Sequence, residues 1–174
     1  MIKPKRILLY GFGPYRQFRS NITEKILKSL PPQPGLKKIV FPVRFCRAQF
    51  VQALSKFKPD VILGLGQSGR RRIEVETQAF NRRRARGSEK RKGISRDGPR
   101  QIKTTLRLKV GKQASRSASA GDYVCNFSMY VMLDHIDRKD LNIPYAFVHI
   151  PHDHNEVKAR KFVAKLLEHC RRAD

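Results

Sequence analysis

Tryptophan is absent from this chain of 174 residues, cysteine occurs three times, and only 14 acids stand against 38 lysines and arginines. No apolar run approaches the roughly 20 residues that a membrane-spanning helix needs, so no membrane association is expected. The opening MIKPKRILLYGFG has an apolar run of about five residues, which reads as a strand rather than a secretion signal. The chain is therefore expected in the cytoplasm. Cys46, Cys125 and Cys170 lie far apart with no CxxC pair, which excludes a zinc knuckle and suggests free thiols in a reducing compartment. His152, Asp153 and His154 form a short HDH run without a further spaced ligand, so neither a metal nor another cofactor is expected.

The scarcity of acids leaves a net charge of +24. Self-repulsion of that size opposes compaction and draws polyanions without selecting among them. Much of it is local: between Arg70 and Arg116 there are 17 lysines and arginines against Glu74, Glu76, Glu89 and Asp97. Within that stretch, 82–100 (RRRARGSEKRKGISRDGPR) has almost nothing to bury and is expected to be an exposed, mobile loop. Weak polyanion or nucleic-acid binding through this loop is the corresponding expectation.

Elsewhere β-rich apolar runs alternate with amphipathic ones. Strands are expected at 6–12, 38–43, 61–65, 73–80 and 145–150. Helices are expected after Asn21, over 48–57, over 124–136 and over 155–171. Asn21 is a good helix N-cap, and VILGL at 61–65 has the continuous apolar character of a strand buried on both faces. This alternation predicts one α/β domain spanning 1–174, a three-layer α/β/α sandwich around a mainly parallel, twisted sheet.

Ligands of such sheets bind beyond the carboxyl ends of the strands. Here those ends are GFGPY at 11–15, GLGQSGR at 64–70, SAGDYVCN at 119–126 and HIPH at 149–152. Cys125 opens a predicted helix, whose N-terminus favours a thiolate and whose amides suit an oxyanion. His149 ends a strand and needs a carboxylate on its second ring nitrogen to act as a base. Glu74 and Glu76 share one face of a strand, and spacing alone does not choose between them.

In combination and in order, these segments resemble the pyroglutamyl peptidase I family of cysteine peptidases. GFGPY with Asn21 downstream, FPV at 41–43, PDVILGLGQSGR, IEVETQAFN, SAGDYVCN and FVHIP each look like a family segment. The resemblance implies a triad of Cys125, His149 and Glu76, the last selected because the family's glutamate lies five residues before an asparagine, here Asn81. It also implies a pocket for an N-terminal pyroglutamyl lactam. Phe12, Tyr15 and Tyr123 would wall it, Gln67 would meet the lactam, Asn21 would sit nearby, and Arg86 would support the site. Peptides with an N-terminal pyroglutamate would be the substrates, and oligomers are compatible with the family.

This sequence departs from the family in three places. Tyr15 replaces the usual Phe, Tyr123 stands at another aromatic position, and the stretch between Glu76 and Cys125 is short and basic. The last departure touches leaving-peptide preference and assembly, not the triad. Charge alone keeps a second class open: a nucleic-acid-binding protein, or a tRNA-linked hydrolase on the same scaffold.

Overall fold

The computed structural model describes residues 4–85 and 90–172. In chain order the elements are β1 (Ile7–Phe12), α1 (Ile22–Ser29), β2 (Leu36–Phe41), α2 (Arg47–Phe57), β3 (Val61–Ser68), β4 (Ile73–Glu76), β5 (Gln78–Phe80), β6 (Arg83–Arg84), β7 (Arg91–Lys92), β8 (Gln101–Lys103), β9 (Ala114–Ser117), α3 (Val124–Arg138), β10 (Tyr145–Pro151) and α4 (Glu156–Arg172). Six strands form the central sheet in the order β2-β1-β3-β10-β4-β9. The first four are mutually parallel; β4 runs antiparallel to β10, and β9 parallel to β4.

Successive side chains of a strand leave opposite faces of the sheet, and here both faces are covered. Ile7 and Leu9 of β1, Leu63 of β3 and Val148 of β10 pack on one side with α1 and α4; Cys170 of α4 is buried there too. Leu8 and Tyr10, Ile62, Tyr145 and Phe147 pack on the other side with α2 and α3. Two helices on each face of one sheet make the three-layer α/β/α arrangement expected from the alternation. Local signals explain the element ends. The Asn21 side chain accepts from Thr23 N–H at 3.0 Å and starts α1; Asn155 does the same for α4 through Lys158 N–H at 2.9 Å.

The strand expected at 73–80 is two strands. β4 stays in the central sheet, whereas β5 leaves it after Thr77 and pairs with β8. Thr77 marks the change: its N–H bonds to Ser117 O, and its carbonyl accepts from Thr104 N–H.

The described part of 82–100 carries structure. β6 pairs with β7. The Asn81 side chain accepts from Ile94 and Ser95 N–H and donates to Ser95 O. Asn126 of α3 bonds Phe80 N–H, Phe80 O and Arg82 O, and Tyr130 Oη donates to Pro99 O at 2.8 Å. Amide and hydroxyl side chains thus supply partners that apolar residues do not.

Candidate active site

The parallel strands end at one edge of the sheet, where three of them deliver site residues. Phe12 closes β1, Gln67 and Ser68 close β3, and His149 lies near the end of β10. Tyr123 is the N-cap of α3 but makes no side-chain capping bond, and Cys125 follows in the first turn. First-turn amides normally need a partner, so this end of α3 has donors available beside a thiol.

Cys125 and His149 converge above Gly66. A Cβ placed on Gly66 would lie 2.7 Å from Cys125 Sγ and 2.9 Å from His149 Cδ2. Only a residue without a side chain lets the two approach there. His149 Nδ1 lies 2.6 Å from Glu76 Oε1, and both residues are buried. Burial by itself lowers the imidazole pKa. The Cys125 sulfur and the Glu76 carboxylate outweigh it and raise the pKa to about 9. Glu76 responds in the opposite direction: burial raises its pKa, but hydrogen bonding and charge from His149, with help from Arg70, leave it lowered. An ionised Glu76 accepts from Nδ1–H, which directs Nε2 of the ring toward the thiol.

The choice between the two glutamates is made by tertiary contacts. In the antiparallel register His149 stands directly opposite Glu74, and Glu76 stands opposite Phe147. Register alone would therefore favour Glu74. Instead Glu74 is partly exposed and ion-paired with Arg70, while Glu76 is fully buried and reaches diagonally to the imidazole. Arg70 Nη1 also donates to the same Glu76 oxygen at 2.8 Å and to Ser117 Oγ at 3.2 Å, and its Nη2 donates to Ser119 O at 2.6 Å. Sequence reasoning passed over Arg70 and Gly66 as functional positions. The signal was present for Arg70: a cation in the turn before a strand, four and six residues ahead of two glutamates.

A cavity of about 210 Å³ opens at the thiol, and Phe12, Tyr15, Asn21, Gln67 and Tyr123 all line it with Cys125 and His149. Tyr15 and Tyr123 stack with centroids 5.5 Å apart. Gln67 Oε1 accepts from Ile22 N–H at 2.9 Å, while its buried Nε2 has no partner among the described residues. Asn21 borders the cavity but its side chain is already engaged, donating to Gly13 O at 3.1 Å and accepting from Thr23. It shapes the wall rather than offering a free group. Arg86 lies outside the described residues.

The other thiols are placed differently. Cys170 is fully buried among apolar side chains, and that burial pushes its pKa up to about 12. Cys46 precedes α2. Among the described residues no group of three or more His, Cys, Asp or Glu side chains is placed to hold a metal ion, and no helix is long and apolar enough to cross a membrane.

Comparison with known proteins gives a consistent result. The profile of the family described as pyroglutamyl peptidase matches residues 5–163. A pyrrolidone-carboxylate peptidase of Bacillus licheniformis is 33% identical over 168 residues, which cover 84% of this chain and 78% of the relative. One of Bacillus subtilis is 31% identical over 169 residues, with 85% and 79% covered. Among solved structures, a mutant pyrrolidone carboxyl peptidase from Pyrococcus furiosus superposes with a TM-score of 0.85 at 25% identity, covering 95% of this chain and 97% of the other.

Proposed function

The chain belongs to the pyroglutamyl peptidase family of cysteine peptidases, and on that footing we propose that it removes N-terminal pyroglutamyl residues from peptides through a thioester on Cys125. The observation that carries this reading is the line Glu76–His149–Cys125 at the mouth of the 210 Å³ cavity. An imidazole raised to about 9 holds a proton at neutral pH, ready to face the Cys125 thiolate that attacks and to serve as the acid for the leaving amine. The thiolate attacks the pyroglutamyl carbonyl. The oxyanion formed faces the uncapped first turn of α3, where backbone N–H donors and the helix dipole oppose its charge.

His149 then gives its proton to the departing amine, and the C–N bond breaks. Water enters, loses a proton to His149 and attacks the thioester; pyroglutamate leaves and Cys125 is regenerated. Glu76 fixes the ring tautomer and supports its positive charge. Arg70 holds Glu76 in place.

The lactam fits between the rings of Phe12, Tyr15 and Tyr123. Gln67, oriented by Ile22 N–H, presents its unpartnered Nε2 to the lactam carbonyl. Proline has no such carbonyl and would leave that buried donor unpaired, a basis for discrimination. Three free thiols suit a reducing, cytoplasmic setting.

The deciding assay is release of a chromogenic amine from pyroglutamyl and prolyl amides by the wild type and Cys125→Ala. Hydrolysis of the first substrate alone, abolished by the substitution, is expected. Equal rates on both substrates, or activity that survives Cys125→Ala, would overturn the reading.

A further inference from the structure

A second cavity, of about 630 Å³, adjoins the catalytic one, and Val43 and Tyr123 line both. Four arginines, Arg16, Arg44, Arg83 and Arg84, surround it, with Phe45 among them and no acid lining it among the described residues. Two guanidinium groups rest on rings: Arg16 lies 5.0 Å from the Tyr123 centroid, and Arg83 lies 5.2 Å from that of Phe45. Stacking of this kind orders a guanidinium while leaving its N–H edge free for a planar anion. Among the described residues, the carboxylate near this cluster is that of Asp122, which pairs with Arg84 and Arg91. Arg16, Arg44 and Arg83 have no carboxylate partner among those residues; Arg44 makes only a long contact of 3.4 Å to Gln49.

Gathered cations repel one another, so the cluster lowers stability unless an anion enters it. Its position suggests which anion. The 210 Å³ catalytic pocket has room for the lactam and little more. The substrate chain beyond the scissile bond must leave past Tyr123 or along the opposite rim, and Tyr123 is where the arginine-lined cavity begins. Two or three extended residues span roughly 10 Å, enough to carry a side chain into it.

We propose that this cavity is the subsite for the leaving peptide and that it selects substrates with Asp or Glu in the first residues after the pyroglutamyl group. The proposal rests on the peptidase reading above. Nucleic acid is the less favoured occupant, because the rings that would stack on bases are covered by Arg16 and Arg83.

The test uses three pyroglutamyl peptides that differ only after the pyroglutamyl residue, with two alanines, two glutamates or two lysines, assayed with wild type and with Arg44→Gln/Arg83→Gln at low and moderate salt. Each enzyme's kcat/KM is normalised to its own rate on the alanine peptide. In the wild type at low salt the glutamate peptide is expected to be favoured by roughly tenfold and the lysine peptide to fall below alanine. The preference should shrink as the Debye length drops from about 30 Å at 0.01 M toward 8 Å at 0.15 M. In the double variant it should fall to within about twofold.

Cleavage of the alanine peptide with no preference for glutamate would overturn the subsite while leaving the peptidase reading intact. No cleavage of any peptide would overturn both. A preference that persists in the double variant would assign it to the overall +24 charge and overturn the local site. If a single-stranded RNA oligomer binds tightly, the double substitution abolishes that binding and glutamate is not favoured, the cavity is a phosphate-binding surface and the proposal fails.

Discussion

Replacing Gly66 by alanine tests the placement of the thiol without touching any polar group. The φ angle of Gly66 is not positive, so its backbone accommodates an L side chain. The obstacle is space. The new Cβ would stand 2.7 Å from Cys125 Sγ and 2.9 Å from both His149 Cδ2 and Phe147 Cε1, where ordinary contact begins at 3.4 Å. Cys125 and His149 must each retreat by about 0.5–0.7 Å, or β3 must shift against β10. Overpacking of this kind costs about 1–3 kcal/mol, and misplacing a reacting group by about 1 Å can lower the rate about 10²-fold. Gly66→Ala is therefore expected to lower kcat on a pyroglutamyl amide by about 10- to 100-fold, with a smaller change in KM. It should slow alkylation of Cys125 by iodoacetamide and reduce Tm by several degrees.

Gly64→Ala provides the contrast. Its Cβ would meet the rings of Phe147 and Tyr10 at 2.5 and 2.6 Å, so it should cost stability with a smaller loss of activity per degree of Tm. If Gly66→Ala retains kcat within threefold and alkylates at the wild-type rate, the thiol and imidazole do not meet above residue 66 and the site geometry is wrong.

Glu76→Gln should lower kcat by about 10³- to 10⁴-fold, near the cost of the Asp-to-Asn change in a serine triad, while Glu74→Gln should cost less than tenfold. The reverse order in steady-state kinetics would reassign the acid. Because the His149 pKa is raised from 6.5 to about 9, activity should decline as pH rises through about 9, and the decline should move to lower pH in Glu76→Gln. The same raised value means that the stability His149 contributes is complete below about pH 6.5 and lost as pH climbs through about 9. Melting curves across that range, with Cys125→Ala beside wild type, check this, and an unchanged Tm would refute it. Brief iodoacetamide treatment near neutral pH followed by peptide mapping should label Cys125 well ahead of Cys170, whose pKa burial raises to about 12; first labelling at Cys170 would contradict the assigned nucleophile.

Much of the scaffold was legible because its signals are local. Apolar runs flanked by caps and prolines mark β1, α1, α2, β3, α3, β10 and α4 to within a few residues. The strands β6 to β9 gave no such signal. They are two to four residues long and mostly polar, and they are held by backbone pairing, while the side chains of Asn81 and Asn126 tie down the segments beside them, partners that no periodicity announces. Composition described 82–100 as an appendage because it contains little to bury. What it could not show is that α3 carries buried amide and hydroxyl groups that bind the segment's backbone.

For the site, residue order and type pointed to Cys125 at a helix start, His149 at a strand end and a glutamate on a neighbouring strand, and it was the ordered resemblance of several such segments to one family that joined them into a candidate triad. The resemblance chose Glu76 by its distance from Asn81, but the physical reason for that choice is tertiary. Glu74 and Glu76 share a face by the two-residue period of a strand, and pairing places the wrong one opposite His149. Arg70 resolves the ambiguity by drawing Glu74 into an ion pair at the partly exposed rim, while Glu76, fully buried, lies within reach of the imidazole. A sequence fixes which groups are available, but charge pairing and burial in three dimensions decide which carboxylate is left facing the histidine.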